Sequence, residues 1–302
     1  MSVPPITAVA LLALAALPIG GACRRATAGP SPFTSPVTLG GRAVPARALE
    51  HGRDVYTHNC RACHGDAGDG QGVSAPGLRP PPRDLRLGVY KFAAVPAGQL
   101  PHDEDFVRTL RSGLHGTAML AWDVPGAELG DLIQYVKAFS PRWRSEAPGE
   151  AIVGSPDPWT GRVAEAVDRG KRVYHGLAQC AVACHPAYAT RREIAAFSKQ
   201  LTKIEPTALR ADLYDPVPKD SDFGVKILPP DFLFNELRGG DSHGDIYRAI
   251  AAGIGGTAMP TWKNVLPEPD LWAMAHYVRS LVALRGTPEA TALETSLRAQ
   301  PD

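Results

Sequence analysis

The sequence predicts an all-α protein made of two tandem units, and three observations carry this prediction. The chain has 302 residues, whereas a single domain usually has about 100 to 150. Two close pairs of cysteines, one in each half, are each followed immediately by a histidine. An apolar pattern with helical spacing precedes each pair. A duplicated helical unit accounts for all three observations.

The composition is typical of a globular protein. With 44% hydrophobic and 21% charged residues, the chain is neither collagenous, nor a coiled coil, nor a polytopic membrane protein. The 29 prolines and 30 glycines predict a large share of ordered loop. The formal net charge is only +1 and the basic residues are scattered, so we expect no nucleic-acid partner.

The first cysteine pair indicates covalent attachment of haem. In the segment Cys60-Arg61-Ala62-Cys63-His64, two thiols can form thioethers with the two vinyl groups while the next imidazole binds the iron. A structural zinc site is the alternative, but it needs four ligands, and these three side chains are too crowded to share one tetrahedron. We therefore predict a haem c here.

The second pair has one residue more between its cysteines. Cys180 and Cys184 precede His185, so the same two bonds require a local bulge. Taken alone, this pair could equally be a disulfide or two free thiols. An internal repeat favours a second haem c.

The repeat is visible on both sides of the cysteine pairs. At an offset of 118 residues, Gly52, Val55 and Tyr56 match Gly170, Val173 and Tyr174. Nine positions further on match at an offset of 140 and include a Gly-Thr-Ala-Met-x-x-Trp segment in each half. Closing amphipathic helices are predicted at 128–139 and 269–284.

Two methionines occupy the same repeat position. A flexible loop can bring the thioether of Met119 or Met259 to the iron face opposite the histidine. We predict four axial ligands, His64 with Met119 and His185 with Met259. Met274 is predicted to be a core residue, and the rival sixth ligands are the loop histidines His102, His115 and His243.

The N-terminal sequence is typical of an export signal. The apolar run at 3–22 is short for a membrane span, and Cys23 follows small residues as in a bacterial lipoprotein cleavage site. Cleavage after Ala28 or an uncleaved anchor are the alternatives. All three place the mature protein outside the cytoplasm, with the periplasm and a lipid anchor on Cys23 as our prediction.

Both halves resemble class I c-type cytochromes, and the whole resembles bacterial periplasmic dihaem cytochromes c. The resemblance covers about residues 45–140 and 162–285 and includes the cysteine pairs, the histidines and the two loop methionines. It implies that each domain wraps around a covalently bound haem and that its first and last helices cross with a glycine and an aromatic residue in contact. It also implies that a proline carbonyl, within 81–85 or 229–232, accepts a hydrogen bond from the histidine Nδ1.

The predicted organisation follows from these assignments. In order, it is an export signal (1–23), a flexible tether (24–44), domain 1 (45–140), a Pro-rich linker (141–161), domain 2 (162–285) with an insertion (186–226), and a C-terminal tail (286–302).

Electron transfer is the predicted function. An iron closed on both faces by protein ligands has no position for a substrate, so one-electron exchange remains. The partners would be redox proteins of the periplasm, with the chain acting as a shuttle or as the cytochrome subunit of a larger complex. The rival is a dihaem peroxidase, which needs one iron that can open a coordination position.

Overall fold

The backbone is mostly helical. The computed structural model describes residues 32–206 and 208–300, so the predicted export signal and Cys23 lie outside the described residues. The helices of this part are α1 (Ala46–Asn59), α2 (Arg61–His64), α3 (Asp103–Ser112), α4 (Gly126–Ala138), α5 (Arg142–Ser145), α6 (Val163–Arg172), α7 (Cys180–Ala183), α8 (Arg191–Thr202), α9 (His243–Ala252), α10 (Glu268–Val282) and α11 (Pro288–Arg298). Within the same ranges, no helix has the length and apolar character needed to cross a bilayer.

The first helix pair, α1 against α4, is built around a glycine. Leu49 and Tyr56 lie on the apolar face of α1 and are 0% and 1% exposed. Between them, Gly52 meets α4 so closely that a Cβ would lie 2.1 Å from the Asp131 carbonyl oxygen. The rings of Tyr56 and Tyr135 pack beside this crossing at 5.4 Å.

The second pair, α6 against α10, repeats this arrangement. A Cβ on Gly170 would lie 2.0 Å from the Ala273 carbonyl oxygen. The rings of Tyr174 and Tyr277 pack beside it at 5.7 Å. The glycine and aromatic contact expected from the resemblance is therefore present in both helix pairs.

Each helix pair has its own hydrophobic core. We call residues 33–150 the first half and residues 151–300 the second half. The first core gathers around Leu132 and Trp143, and the second around Leu271 and Met274. From residue 33 onwards, the described residues nevertheless form one compact unit, and the division into two domains at the predicted boundaries stays a prediction.

Part of the predicted tether is folded. Strands β1 (Val37–Leu39) and β2 (Arg42–Val44) pair antiparallel across a Gly40-Gly41 turn in which both residues have positive φ. Two glycines suit such a tight turn because they adopt this conformation without a steric penalty. Leu39 is 1% exposed, and this burial is why residues 37–44 are not a flexible tether.

The predicted linker and tail are also partly ordered. Trp143 of α5 is fully buried in the first core, so the 141–161 segment begins as part of that core. Beyond residue 286, α11 buries Ala290 and Leu297 against the second core. Apolar residues at helical spacing pack this segment against the core, so the predicted C-terminal tail is partly folded.

A π-helical turn precedes the second cysteine pair. Residues Val173–Leu177 continue α6 with this wider spiral, and Gln179 then takes a left-handed conformation (φ 53°). In the first half, α1 runs directly to Cys60. Cys180 follows Tyr174 by six residues whereas Cys60 follows Tyr56 by four, and the turn and the kink accommodate these two extra residues.

His175 lies inside this turn and is 0% exposed. Its Nδ1 donates to the Lys171 carbonyl oxygen (2.8 Å), and its Nε2 accepts from the Tyr188 backbone N–H (3.0 Å). Burial lowers the pKa of His175 from 6.5 to about 4. The imidazole is therefore neutral and joins the turn to the segment that follows His185.

We expect the stability to depend on pH through His175. Since its pKa is lower in the folded state, stability is complete above about pH 6.5 and falls as the pH drops towards 4, by about 3 kcal/mol in all. Urea unfolding of the parent and of His175→Gln at several pH values measures this loss. The parent should lose more stability than the variant between pH 6.5 and 4, and parallel curves would contradict the assignment.

Candidate haem-binding sites

The first motif forms a short turn with its ligand nitrogen oriented by the backbone. The thiols of Cys60 and Cys63 are free, and His64 ends helix α2. Its Nδ1 donates to the Arg83 carbonyl oxygen at 3.1 Å, which leaves the Nε2 lone pair for iron. Burial lowers the pKa of His64 and favours the neutral ring that binds a metal.

The carbonyl at this position belongs to Arg83 and not to a proline. The Pro82 carbonyl instead faces Gly70, where a Cβ would lie 2.6 Å from its oxygen. The accepting group lies one residue further along the segment expected to supply it. This difference leaves the role of the bond unchanged.

Backbone donors hold the first turn. The carbonyl oxygens of His64, Cys63 and Ala62 accept from N–H groups of the loop at 2.9, 3.1 and 2.8 Å. The Tyr56 hydroxyl donates to the Gly65 carbonyl oxygen at 2.7 Å. Three carbonyls of the motif and that of the following Gly65 are thus satisfied, and the turn is fixed from the side of α1 and of the following loop.

In the second motif, the histidine ring is also oriented by a backbone carbonyl oxygen. Cys180 and Cys184 are free thiols, and the Nδ1 of His185 donates to the Pro230 carbonyl oxygen at 3.3 Å, as expected. The Phe232 ring stacks on the imidazole at 5.1 Å, and burial lowers the pKa of His185. Its Nε2 is therefore the nitrogen available to iron.

An arginine of the insertion holds the second turn. The Arg210 guanidinium donates to five carbonyl oxygens, those of Ala181 (3.1 Å), His185 (2.9 Å), Asp212, Leu213 (3.1 Å) and Asp215 (2.6 Å). Only 15% of its side chain is exposed. This side chain, together with the Val217 N–H that donates to the Cys184 carbonyl oxygen at 2.9 Å, thus holds the wider second turn, whereas loop N–H groups hold the first.

Two of the alternatives for the cysteine pairs, a disulfide and a structural zinc site, can be compared with the geometry. None of the four cysteines of the described ranges forms a disulfide. Within the same ranges, no three His, Cys, Asp or Glu side chains gather as a metal-binding group, and a structural zinc site needs four.

The two methionine loops have the same hydrogen bonds. In the first, the Thr117 hydroxyl donates to the Leu114 carbonyl oxygen (2.7 Å) and accepts from the Met119 N–H (3.1 Å). The second loop repeats these bonds, at 2.7 and 3.1 Å, among Thr257, Ile254 and Met259. Each loop therefore closes on itself just before its methionine.

Two of the three rival histidines contact other groups of the chain, and the third is exposed. His102 donates from Nε2 to the Gly149 carbonyl oxygen (2.8 Å), and the His243 ring packs on His276 at 4.3 Å. His115 is exposed. Met274 is 1% exposed in the second core, as expected for a core residue.

Exposed apolar side chains lie beside the motifs and loops. Val73, Leu120 and Leu228 are 91%, 69% and 61% exposed. Val73 lies between two residues that bond back to the first turn, Leu120 follows Met119, and Leu228 precedes the proline pair that orients His185. Free thiols, an unassigned imidazole nitrogen, a thioether and apolar walls fit a haem in each half.

Comparison with known proteins agrees with this chemistry. The family model described as "Cytochrome C oxidase, cbb3-type, subunit III" matches residues 47–136. A solved chain of the reducing HAO-like protein complex of Kuenenia stuttgartiensis is 28% identical with a TM-score of 0.61, over 77% of this chain and 96% of that one. No curated protein matches.

These similarities support a c-type cytochrome. The predicted all-α fold is confirmed, with β1 and β2 as a minor addition. A cytochrome c domain implies covalently bound haem c and haem-based electron transfer.

Proposed function

We propose that this chain is a dihaem electron carrier of the cell envelope. The observation that carries the proposal is the repetition of one complete ligand set in each half, since two cysteines, an oriented histidine and a closed methionine loop occur twice. His64 with Met119 and His185 with Met259 would hold the two irons. The number of haems and the ligand pairs are part of this proposal.

The chain's own groups suit one-electron exchange. Haem supplies a reversible one-electron couple when bound. The bonds from the histidine Nδ1 atoms to Arg83 and Pro230 fix the ring orientation and raise ligand basicity. A thioether opposite each imidazole would leave no position for a substrate.

The partners we propose are redox proteins, with the chain as a cytochrome subunit or a shuttle. Support for a subunit comes from the similar chain of the HAO-like complex, which is part of a multi-protein assembly.

A test of ligation uses the two loop methionines. Methionine-ligated ferric haem c has a weak sulfur-to-iron band at the red end of its spectrum, so Met119→Ala and Met259→Ala should each remove about half of that band. A pyridine haemochrome titration should give two haems per chain. Met274→Leu is the control, because this buried methionine should leave the band intact.

Other outcomes would correct the proposal. One haem per chain would remove the second site, and an unaltered band in either alanine variant would transfer the ligand role to a loop histidine. Fast, saturable consumption of peroxide, or cyanide binding to one ferric haem at low concentration, would favour a dihaem peroxidase.

We propose that Cys23 carries a lipid and holds the protein at a periplasmic membrane surface. A diacylglyceryl group with a further acyl chain is enough for stable anchoring. Cys23→Ser should therefore release the protein from membranes or block its processing. A mature N-terminus at Gly29, found by mass spectrometry, would instead establish ordinary secretion.

A further inference from the structure

Three cations meet where the two halves touch. The Arg83 guanidinium and the Lys91 ammonium of the first half lie near the Phe223 ring of the second, at 3.5 and 5.2 Å from its centroid. Arg238 of the second half is close enough for its charge to act on both. We call Arg83, Lys91 and Arg238 the seam cluster.

The seam cluster has no acidic partner in the described part of the chain. No carboxylate there forms an ion pair with any of the three, and the charges acting on Lys91 are those of Arg83 and Arg238. Burial, followed by these two charges, lowers the pKa of Lys91 to about 8. Arg83 and Lys91 are partly buried and Arg238 is exposed beside them, and like charges gathered in this way are unfavourable together and favour an anion among them.

The cluster is tied to both candidate haem sites. Arg83 accepts the Nδ1 hydrogen bond of His64 through its carbonyl oxygen, so the guanidinium belongs to a residue in direct contact with the first proposed axial ligand. The Phe223 ring under that guanidinium packs on Gly256, where a Cβ would lie 2.5 Å from it. Gly256 belongs to the loop of Met259, and the neighbouring Gly255 N–H donates to the Lys91 carbonyl oxygen at 3.2 Å.

We propose that the seam cluster binds carboxylates of haem propionate groups and so joins the two haem sites across the halves. The inference rests on the proposed function, because it needs haem in the chain. Planar carboxylates suit the fork of a guanidinium, and the Phe223 ring holds that of Arg83 in one plane. A free anion from solution has the same chemistry, and the experiment separates the two sources.

The test compares Arg83→Gln, Lys91→Gln and Arg238→Gln with the parent. Each variant removes one cation and keeps the backbone, including the Arg83 carbonyl that orients His64. A cation beside a propionate favours ferrous haem, so each variant should lower the midpoint potential of at least one haem. The bending band of the propionates in the resonance Raman spectrum should shift as well. Arg47→Gln is the control, since this exposed arginine of α1 carries the same charge change away from the seam.

The outcomes are distinct. Two haems per chain, with lowered potentials and a shifted propionate band in the three variants but not in Arg47→Gln, supports the inference. If the chain holds two haems but the propionate band does not shift in the three variants, the inference is overturned and the proposed function is unaffected. Potentials that follow the phosphate concentration at fixed ionic strength, again without a band shift, assign the cluster to a free anion. A parent without haem overturns both proposals.

Discussion

Gly52→Ala is expected to disrupt the first helix pair. The new methyl carbon would lie 2.1 Å from the Asp131 carbonyl oxygen, so α1 and α4 must move apart by about 1 Å or more. Overpacking against backbone is relieved only by such a shift, and we expect a loss of about 3 kcal/mol or more in the free energy of unfolding. Urea unfolding, followed by circular dichroism and by haem absorbance, measures it.

Gly130→Ala is the matched control on α4. This glycine is exposed, and a Cβ there would meet nothing within 4 Å. Since alanine is the better helix former, this variant should be more stable by about 0.5 to 1 kcal/mol. Gly170→Ala should behave like Gly52→Ala because its Cβ would lie 2.0 Å from the Ala273 carbonyl oxygen. Equal stabilities for Gly52→Ala and Gly130→Ala would mean that the helices do not cross this closely.

Arg210→Met is expected to impair the second site alone. The change keeps an apolar stem but removes the donors for five carbonyl oxygens, two of them in the Cys180–His185 segment. Leaving buried acceptors without partners costs about 1 to 3 kcal/mol each. The second turn should therefore open, and haem should be lost from the second cysteine pair while the first retains it. Mass spectrometry of haem-bearing peptides gives the occupancy of each pair.

Two further variants separate charge from geometry. Arg210→Lys keeps the charge, but an ammonium cannot reach the same set of carbonyls as a guanidinium, so its second-site occupancy should fall between those of the parent and Arg210→Met. Arg192→Met removes an exposed arginine of α8 and should change neither site. Equal haem occupancy in Arg210→Met and the parent would show that the insertion does not hold the motif.

Local patterns made the helix pairs and the candidate ligands predictable. A cysteine pair followed by a histidine predicts a haem site, and a glycine four residues before a tyrosine predicts a helix crossing. Each pattern spans only a few residues and occurs in both halves of the repeat. The hairpin at 37–44 and α11 were not predicted. The hairpin has only a short apolar alternation, and α11 is a short amphipathic segment near a terminus, so both sequence patterns are weak.

The groups that act across long distances in the sequence could not be predicted. Arg210 and Arg238 are two of many scattered basic residues, and only the packed structure shows that one reaches the second turn and the other the seam. His175 gave no signal either, since its burial depends on a π-helical turn that no sequence pattern marked.

The hydroxyl groups of Thr117 and Thr257 bear on the speed of electron exchange. Each closes its methionine loop with bonds that involve only the chain itself. The backbone at each loop methionine is therefore held by the chain itself, independently of any bound iron and of its oxidation state. Pre-organisation of this kind reduces the rearrangement that accompanies a change of charge. If Met119 and Met259 bind the irons as proposed, we expect a small reorganisation energy and fast self-exchange, to which two threonines outside the ligand set contribute.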